Sequence, residues 1–431
     1  MEGISSSSDE VREEHFEVRM SAKTGAAVKP GFYQKTVLTL LSKMNLGRLN
    51  LTLPGGEVVS FGNGEGEIAA NVTINHPYFF KRCVLYGDVG FGEAYVANEW
   101  ETDNITNVIK WFLLNVDNAP SVSGSAAGSV MLNMLKGFNT IRHLRRTNSL
   151  KGSRKNISEH YDLNNDFFAL FLDPSMTYSS AYFKEDHMNL QQAQYEKYDR
   201  LCQQLQLKPT DHVLEIGSGW GGNAIHIATK YGCKVTTVTI SEEQHKLATQ
   251  RVAEHNLSHQ VDVVVLDYRK VTGKFDKIVS IEMLEAVGAD YLERYFKKCN
   301  ELLKKDGILA FQVITCPDSR FEHLRNGVDW IQKHIFPGSL LPSVAALNDA
   351  INKTSDLTLV DLKDLGLHYA RTLSTWYDTF NENVAEVKKL GFDDTFIRKW
   401  NYYLCYCEAA FAMRNINVMQ MVYTRPNNTT R

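Results

Sequence analysis

The sequence predicts an α/β protein: a doubly wound, mostly parallel sheet with a helical insertion, joined to a small α+β unit at its amino end. Three observations carry this. From about residue 195, apolar strand-like runs alternate with helical stretches, a pattern that builds parallel sheets covered on both faces. One run ends in a glycine-rich turn that opens a helix (HVLEIGSGWGG, 212–222). Upstream, 49–53, 67–72 and 73–76 alternate as short strands do, and Gly55-Gly56 marks a turn between them.

In the larger unit, strands are expected at 213–216, 235–240, 261–266, 277–281 and 308–314, with helices at 223–231, 242–255 and 290–304. Residues 318–400 read as a helical insertion with one turn at Pro337-Gly338. It is placed to roof the carboxyl ends of the strands, where such sheets bind ligands. Apolar stretches at 401–412 and 417–423 close the chain. In the smaller unit, 94–102 has a helix-like pattern. The run 108–116 is too short to cross a bilayer and reads as a core or interfacial segment.

Residues 121–129 are small and flexible in character, and 136–155 are basic, with Arg142, Arg145, Arg146, Lys151 and Arg154. The basic run overlaps Met131, Met134, Leu135, Phe138, Ile141 and Leu144 at helical spacing. A basic amphipathic helix of this kind lies on anionic lipid, although a helix packed on its own protein has the same pattern. Residues 1–30 are polar without an apolar core, and read as a disordered tail rather than a secretory signal.

The length of 431 residues gives room for two domains. A net charge of −3 argues against a bulk nucleic-acid binder. Seven scattered cysteines match no zinc spacing, and Cys405-x-Cys407 is one residue short of a redox pair. Free thiols in a reducing cytoplasm follow.

Glycines let the turn approach a ligand closely. Its order, acid-x-Gly-x-Gly-x-Gly, differs from the dinucleotide order Gly-x-Gly-x-x-Gly. Glu215, just before the turn, would repel a pyrophosphate but suits the cationic amino group of S-adenosylmethionine. By the same strand-end logic, 217–221, 239–244, 267–268, 282–285 and 314–316 face the ligand.

Further motifs are His160-Tyr161-Asp162-Leu163, Met176 through Phe183 (MTYSSAYF), Thr239 through Gln244 (TISEEQ), and Ser280 through Gly288 (SIEMLEAVG). Phe336-Pro337-Gly338, His368 through Leu373 (HYARTL), and Cys407 through Phe411 (CEAAF) complete the set. With these, residues 153–425 resemble the cyclopropane-fatty-acyl-phospholipid synthase family, relatives of the mycolic acid cyclopropane synthases. The resemblance implies a Rossmann-like S-adenosylmethionine-dependent methyltransferase sheet with a helical lid as the catalytic unit (156–431), and a lipid-facing unit at 31–115, with 116–155 as linker. Tyr178 and Ser179 would hold the methionine part of the cofactor. The glycine turn would comprise Val213, Leu214, Glu215, Ile216, Gly217, Ser218, Gly219, Trp220 and Gly221. Thr239, Ile240, Ser241 and Gln244 would lie near the ribose and adenine, and Asp267, Tyr268 and Arg269 at the adenine ring.

The implied chemistry is methyl transfer to an alkene, giving a carbocation that loses a methyl proton and closes a three-membered ring. Tyr178, Tyr182, Phe183 and Tyr369 are aromatic candidates for facing the cation. The implied base is bicarbonate, held at five positions: Glu285, Tyr369 and the Ile314 backbone, with Ser180 where a cysteine is expected and Gln312 where a histidine is expected. Serine and glutamine can donate hydrogen bonds, but neither copies a histidine's charge. Cys407 matches a cysteine sometimes assigned a catalytic role, with no base visible beside it. The implied partners are unsaturated phospholipid acyl chains, a membrane surface approached peripherally from the cytoplasm, and a second copy in a homodimer, without nucleic acid or metal. Methyl or methylene branching from the same cation, N- or O-methylation of a small molecule, and lipid binding without catalysis are the alternatives.

Overall fold

Alternation builds the smaller sheet. In β1 (Arg48–Thr52) Leu49 and Leu51 are buried between more exposed neighbours. It pairs antiparallel with β2 (Val58–Phe61) and parallel with β3 (Ala69–Ile74), which pairs antiparallel with β4 (Trp100–Glu101). The computed structural model describes residues 31–115 and 164–429. The expected tail, the linker with its basic helix, and the His160–Leu163 motif lie outside the described residues. Helices α1 (Phe32–Leu41), α2 (Tyr78–Val96) and α3 (Ile105–Leu114) complete the smaller unit. The two runs at 67–76 merge into the single strand β3.

The helix expected over 94–102 is not formed. Helix α2 ends at Val96, Asn98 takes a φ of 56°, and the chain turns into β4. Burial explains the turn. Tyr95 and Trp100 both reach the core with rings 4.9 Å apart, and Trp100 Nε1 donates back to the Phe91 carbonyl at 3.0 Å.

The larger sheet has seven strands in the order β10-β11-β9-β8-β5-β6-β7. Strands β5 (His212–Ile216), β6 (Lys234–Thr239), β7 (Val261–Val265), β8 (Phe275–Ile281) and β9 (Leu303–Thr315) are the expected five, and their neighbours run parallel. The insertion is not wholly helical, however: β10 (Thr358–Asp364) forms an edge of this sheet. The closing stretch forms β11 (Asn417–Thr424), antiparallel to both β9 and β10. The order reverses between β5 and β8, which makes their carboxyl ends the switch point where such sheets open a crevice.

Helices α4 (Asn165–Ala169) and α5 (Leu190–Gln204) precede this sheet, and α6 (Gly222–Tyr231), α7 (Glu242–Glu254) and α8 (Leu292–Leu302) connect its strands. The Asn189–Gln192 capping box starts α5. Ser241 caps α7 above Glu242 and Glu243, whose charges suit a helix amino end. The insertion and closing region add α9 (Phe321–Asn326), α10 (Trp330–His334), α11 (Val344–Thr354), α12 (Gly366–Glu382), α13 (Val384–Lys389) and α14 (Asp394–Ala412).

One aromatic core runs from the smaller unit into α12 and α14. Arg398 on α14 donates to the carbonyls of Tyr95 (2.7 Å) and Trp100 (2.9 Å), with its guanidinium 4.0 Å from the Tyr95 ring centre. Thr106 hydrogen-bonds Glu408 at 2.8 Å, and Lys333 pairs with Glu93 at 2.6 Å. Gly92 lets α2 approach closely, since a Cβ there would lie 2.5 Å from Trp330 and 2.7 Å from Tyr402. Gly92→Ala is therefore expected to destabilise the protein by about 1–3 kcal/mol through overpacking. Thermal unfolding checks this, with a lowered midpoint as the outcome.

Candidate active site

A single cavity of about 1790 Å³ begins at the carboxyl edge of the large sheet and ends among α1, α2 and β1 of the smaller unit. Its sheet end is lined by Glu215, Ile216, Gly217, Ser218, Gly219, Trp220, Thr239, Ile240, Gln244, Asp267, Tyr268 and Arg269, with Tyr178 and Ser179 beside them. Gly217 and Gly219 have φ of 97° and 48°, a region that other residues occupy only at a cost. A Cβ on Gly217 would also sit 3.2 Å from Met283.

Four expected cofactor positions stand behind this wall. Val213 and Leu214 are fully buried between the sheet and its helices, because successive strand residues face opposite, covered sides. Gly221 packs on Ala248, and Ser241 is spent as the cap of α7.

Glu215 also departs from expectation. One carboxylate oxygen accepts from Asn223 Nδ2 at 2.8 Å and the other from Thr237 Oγ1 at 2.6 Å. Burial pushes its pKa up to about 7. Its carboxylate therefore braces the turn instead of being presented free to a ligand. Asn223 Oδ1 is buried without a hydrogen-bond partner on the same wall, an acceptor suited to an ammonium donor. Asp267 is likewise occupied, accepting from Arg269 Nε at 2.8 Å and Nη2 at 2.6 Å, which fixes the loop that carries Tyr268. Trp220 is anchored by its Nε1 to Asn165 at 2.7 Å.

Past the turn, the cavity wall carries Glu282, Glu285, Ile314, Tyr369, Tyr403, Cys407 and Phe411. Glu285 Oε1 accepts from the Ile314 N–H at 2.5 Å, and Oε2 is buried without a partner. Burial, and then the neighbouring Glu282, push the Glu285 pKa up to about 8. Glu282 Oε1 accepts from the Ser180 N–H at 2.8 Å and Gln312 Nε2 at 2.7 Å, and Tyr369 also hydrogen-bonds Glu282. Lys197, fully buried, donates to Ser179 Oγ at 2.7 Å. Burial lowers its pKa to about 7, against the opposing pull of Glu282, Asp173 and Glu215.

Ser180, Glu285, Gln312, Ile314 and Tyr369 are thus brought together, as the sequence reading expects. Ser180 takes part through its backbone, since its hydroxyl turns to the Ala181 carbonyl (3.1 Å). Ser180 and Gln312 are fully buried behind Glu282. Glu282 and Lys197 received no role from the sequence. For Glu282 the available signal was its strand-end position; for Lys197, inside a polar helix, there was none.

Tyr178 and Tyr369 face the cavity. The Tyr178 hydroxyl is 2.8 Å from that of Tyr403, and its ring lies 5.3 Å from Trp376. Tyr182 and Phe183 do not join them. Arg371 holds that loop by the Asp186 and Met188 carbonyls (2.8 and 3.0 Å) and covers Phe183 at 3.9 Å, while Tyr182 packs on His368 at 5.1 Å. Tyr403 and Phe411 take their places. Cys407 reaches the cavity, but burial pushes its thiol well above the usual range, and among the described residues no base hydrogen-bonds it. It is not an activated nucleophile.

A doubly wound sheet with a glycine turn at its switch point, opening on a deep and partly apolar cavity, defines a Rossmann-like methyltransferase fold. The mycolic acid cyclopropane synthetase profile matches residues 148–421, and the chain belongs to that family. It is 38% identical over 392 residues to the tuberculostearic acid methyltransferase UfaA1 of Mycobacterium tuberculosis, covering 88% of this chain and 90% of that protein. It is 35% identical over 362 residues to the cyclopropane-fatty-acyl-phospholipid synthase of Escherichia coli, covering 84% of this chain and 89% of the relative. Among solved structures, mycolic acid cyclopropane synthase CmaA1 complexed with SAH and CTAB is similar with a TM-score of 0.58 at 30% identity. That match covers 63% of this chain and 98% of the other.

Glu285 keeps its proton up to about pH 8 when folded, against an ordinary 4.5. Between these values the native state binds more protons than the unfolded one, so this group's contribution to stability falls as pH rises towards 8. Glu285→Gln should remove that contribution to the slope. Thermal midpoints measured at about pH 5 and about pH 9 check this: the variant gains on the wild type at the higher pH.

Proposed function

We propose that the chain is an S-adenosylmethionine-dependent C-methyltransferase that adds a methylene across a cis double bond of an unsaturated acyl chain in a membrane phospholipid. The observation that carries the reading is the continuity of the cavity. It runs from the glycine turn, past the buried carboxylates, into an apolar arm lined by Leu40, Met44, Leu51, Phe91 and Phe112.

When bound, S-adenosylmethionine supplies an electrophilic methyl group. The turn from Glu215 to Trp220, Asn223, Gln244 and the loop from Asp267 to Arg269 would hold it. Tyr178, Tyr369 and Tyr403 shield the middle of the cavity and present aromatic faces to positive charge. Glu282 stands where a proton must be received, with Glu285 beside it. The apolar arm takes the hydrocarbon tail, a use that N- or O-methylation of a small polar molecule does not require.

At the far end, Phe32 on α1 is 71% exposed, and Lys35 on α1 and Lys43 just past the helix line the same part of the cavity. An exposed aromatic with lysines suits contact with an anionic bilayer surface. Among the described residues no helix is long and apolar enough to cross a membrane. Peripheral docking from the cytoplasm and assembly as a homodimer belong to this reading.

A methyl- or methylene-branched product from the same cation is the second reading. It is favoured by the 38% identity to a tuberculostearic acid methyltransferase. Incubation with dioleoyl phospholipid vesicles and methyl-labelled cofactor, followed by NMR of the lipid, separates the two. Labelled ring methylene signals are expected; vinylidene or methyl-branch signals establish the second reading, and unlabelled lipid overturns both. Raising ionic strength from about 0.05 to about 0.5 M should weaken vesicle binding several-fold. Sedimentation with vesicles measures this, and salt-insensitive binding removes the lysines from the docking face.

A further inference from the structure

Three of the five groups that the family resemblance places around a bicarbonate here bond a side chain of the protein. The Ser180 N–H (2.8 Å), Gln312 Nε2 (2.7 Å) and Tyr369 are hydrogen-bonded to Glu282, and the Ile314 N–H (2.5 Å) is given to Glu285. What remains is the unpartnered Oε2 of Glu285, itself a carboxyl group. A bicarbonate would meet two carboxyl groups and donors already in use, with Lys197 engaged by Ser179. The site does not fit a second anion.

The orientation of Gln312 is determined by its neighbours. Arg200, which has only donors, bonds Gln420 Oε1 at 2.7 Å. The Gln420 amide nitrogen must then face Gln312 Oε1 (3.0 Å), which turns the Gln312 amide nitrogen to Glu282. Glu282 also has a φ of 47°, a conformation unfavourable for a side chain of its size. Its own N–H donates to the Gln312 carbonyl at 2.8 Å. The backbone is thus held in a strained conformation with the carboxylate facing the cavity.

We propose that Glu282 is a built-in carboxylate that occupies the position of the diffusible anion and takes the methyl proton, so that turnover needs no bicarbonate. This rests on the proposed methyltransferase reading. The step balances without a co-reactant: the C–H electron pair of the methyl group added to the acyl chain closes the third ring bond, and the proton passes to a Glu282 oxygen and then to solvent on product release.

The test uses the full chain. In carbonate-depleted buffer, added bicarbonate should change wild-type turnover by less than about twofold, and Glu282→Gln should lose about 10²–10⁴-fold. Binding of ¹³C-bicarbonate, followed by NMR without turnover, should be undetectable in the wild type. It should be saturable in Glu282→Gly, which vacates the position and suits the backbone angle. Bicarbonate should also restore turnover of Glu282→Gly, but not of Glu282→Gln, by at least about tenfold. Calorimetric binding of S-adenosylhomocysteine and the thermal midpoint report whether each variant is intact. Saturable bicarbonate binding to the wild type, bicarbonate-dependent wild-type turnover, or an active Glu282→Gln would overturn the proposal. Absence of lipid methylation by the wild type in either buffer defeats the functional reading instead, and the binding measurement still decides the role of Glu282.

Discussion

The structure depends on keeping a small set of ionisable groups buried at the carboxyl edge of the large sheet. Glu215, Glu282, Glu285 and Lys197 lie there together, and burial shifts the pKa of each towards its neutral form. Such groups are tolerated only where donors and opposite charge meet them. Strand pairing supplies much of this. In register, Gln312 of β9 lies across from Ile281 of β8, next to Glu282, and Gln420 of β11 lies across from Gln312. The reversed strand β11 therefore does more than extend the sheet. It carries a polar side chain through the interior to Arg200, which pairs with Asp361 on β10 at 2.5 Å.

The second constraint is that the cavity belongs to both units. An apolar arm needs walls on all sides, and the smaller sheet with α1 and α2 supplies those that the methyltransferase sheet lacks. The packing at Gly92 and the Arg398 bonds to the backbone of Tyr95 and Trp100 hold those walls against α10 and α14. Because aromatic residues of α12 and α14 serve the shared core and also line the middle of the cavity, packing between units and the shape of the reaction space are set by the same side chains.

Much of this was legible in the sequence where a local rule applies. The glycine turn, the five parallel strands and the strand-end positions follow from periodicity and from φ demands that only glycine meets easily. The strand at β10 was hidden because it lies at an edge and alternates between exposed and half-buried residues, a weak signal beside the surrounding helices. The residues at 94–102 keep a helical spacing, yet the long-range burial of Trp100 breaks the helix. The site was legible as positions more than as bonds. Sequence places Glu215 before the turn but does not reveal that Thr237 and Asn223 occupy its oxygens. It places Tyr182 and Phe183 after Ser180 but does not show Arg371 drawing their loop away from the cavity.

Glu282 shows why that distinction matters for mechanism. An anion drawn from solution must be held against its own hydration, and a cationic histidine would help to hold it. A carboxylate tethered to the backbone needs no such attraction, because its effective concentration is fixed by the fold. A neutral glutamine with a dictated orientation is then sufficient at 312, and a serine contributing only its backbone N–H is sufficient at 180. The two departures that weaken the site when read as a bicarbonate cage become coherent once the carboxylate is supplied from within. The left-handed backbone at Glu282 is the accompanying cost, offset by the hydrogen bonds that hold the residue in place.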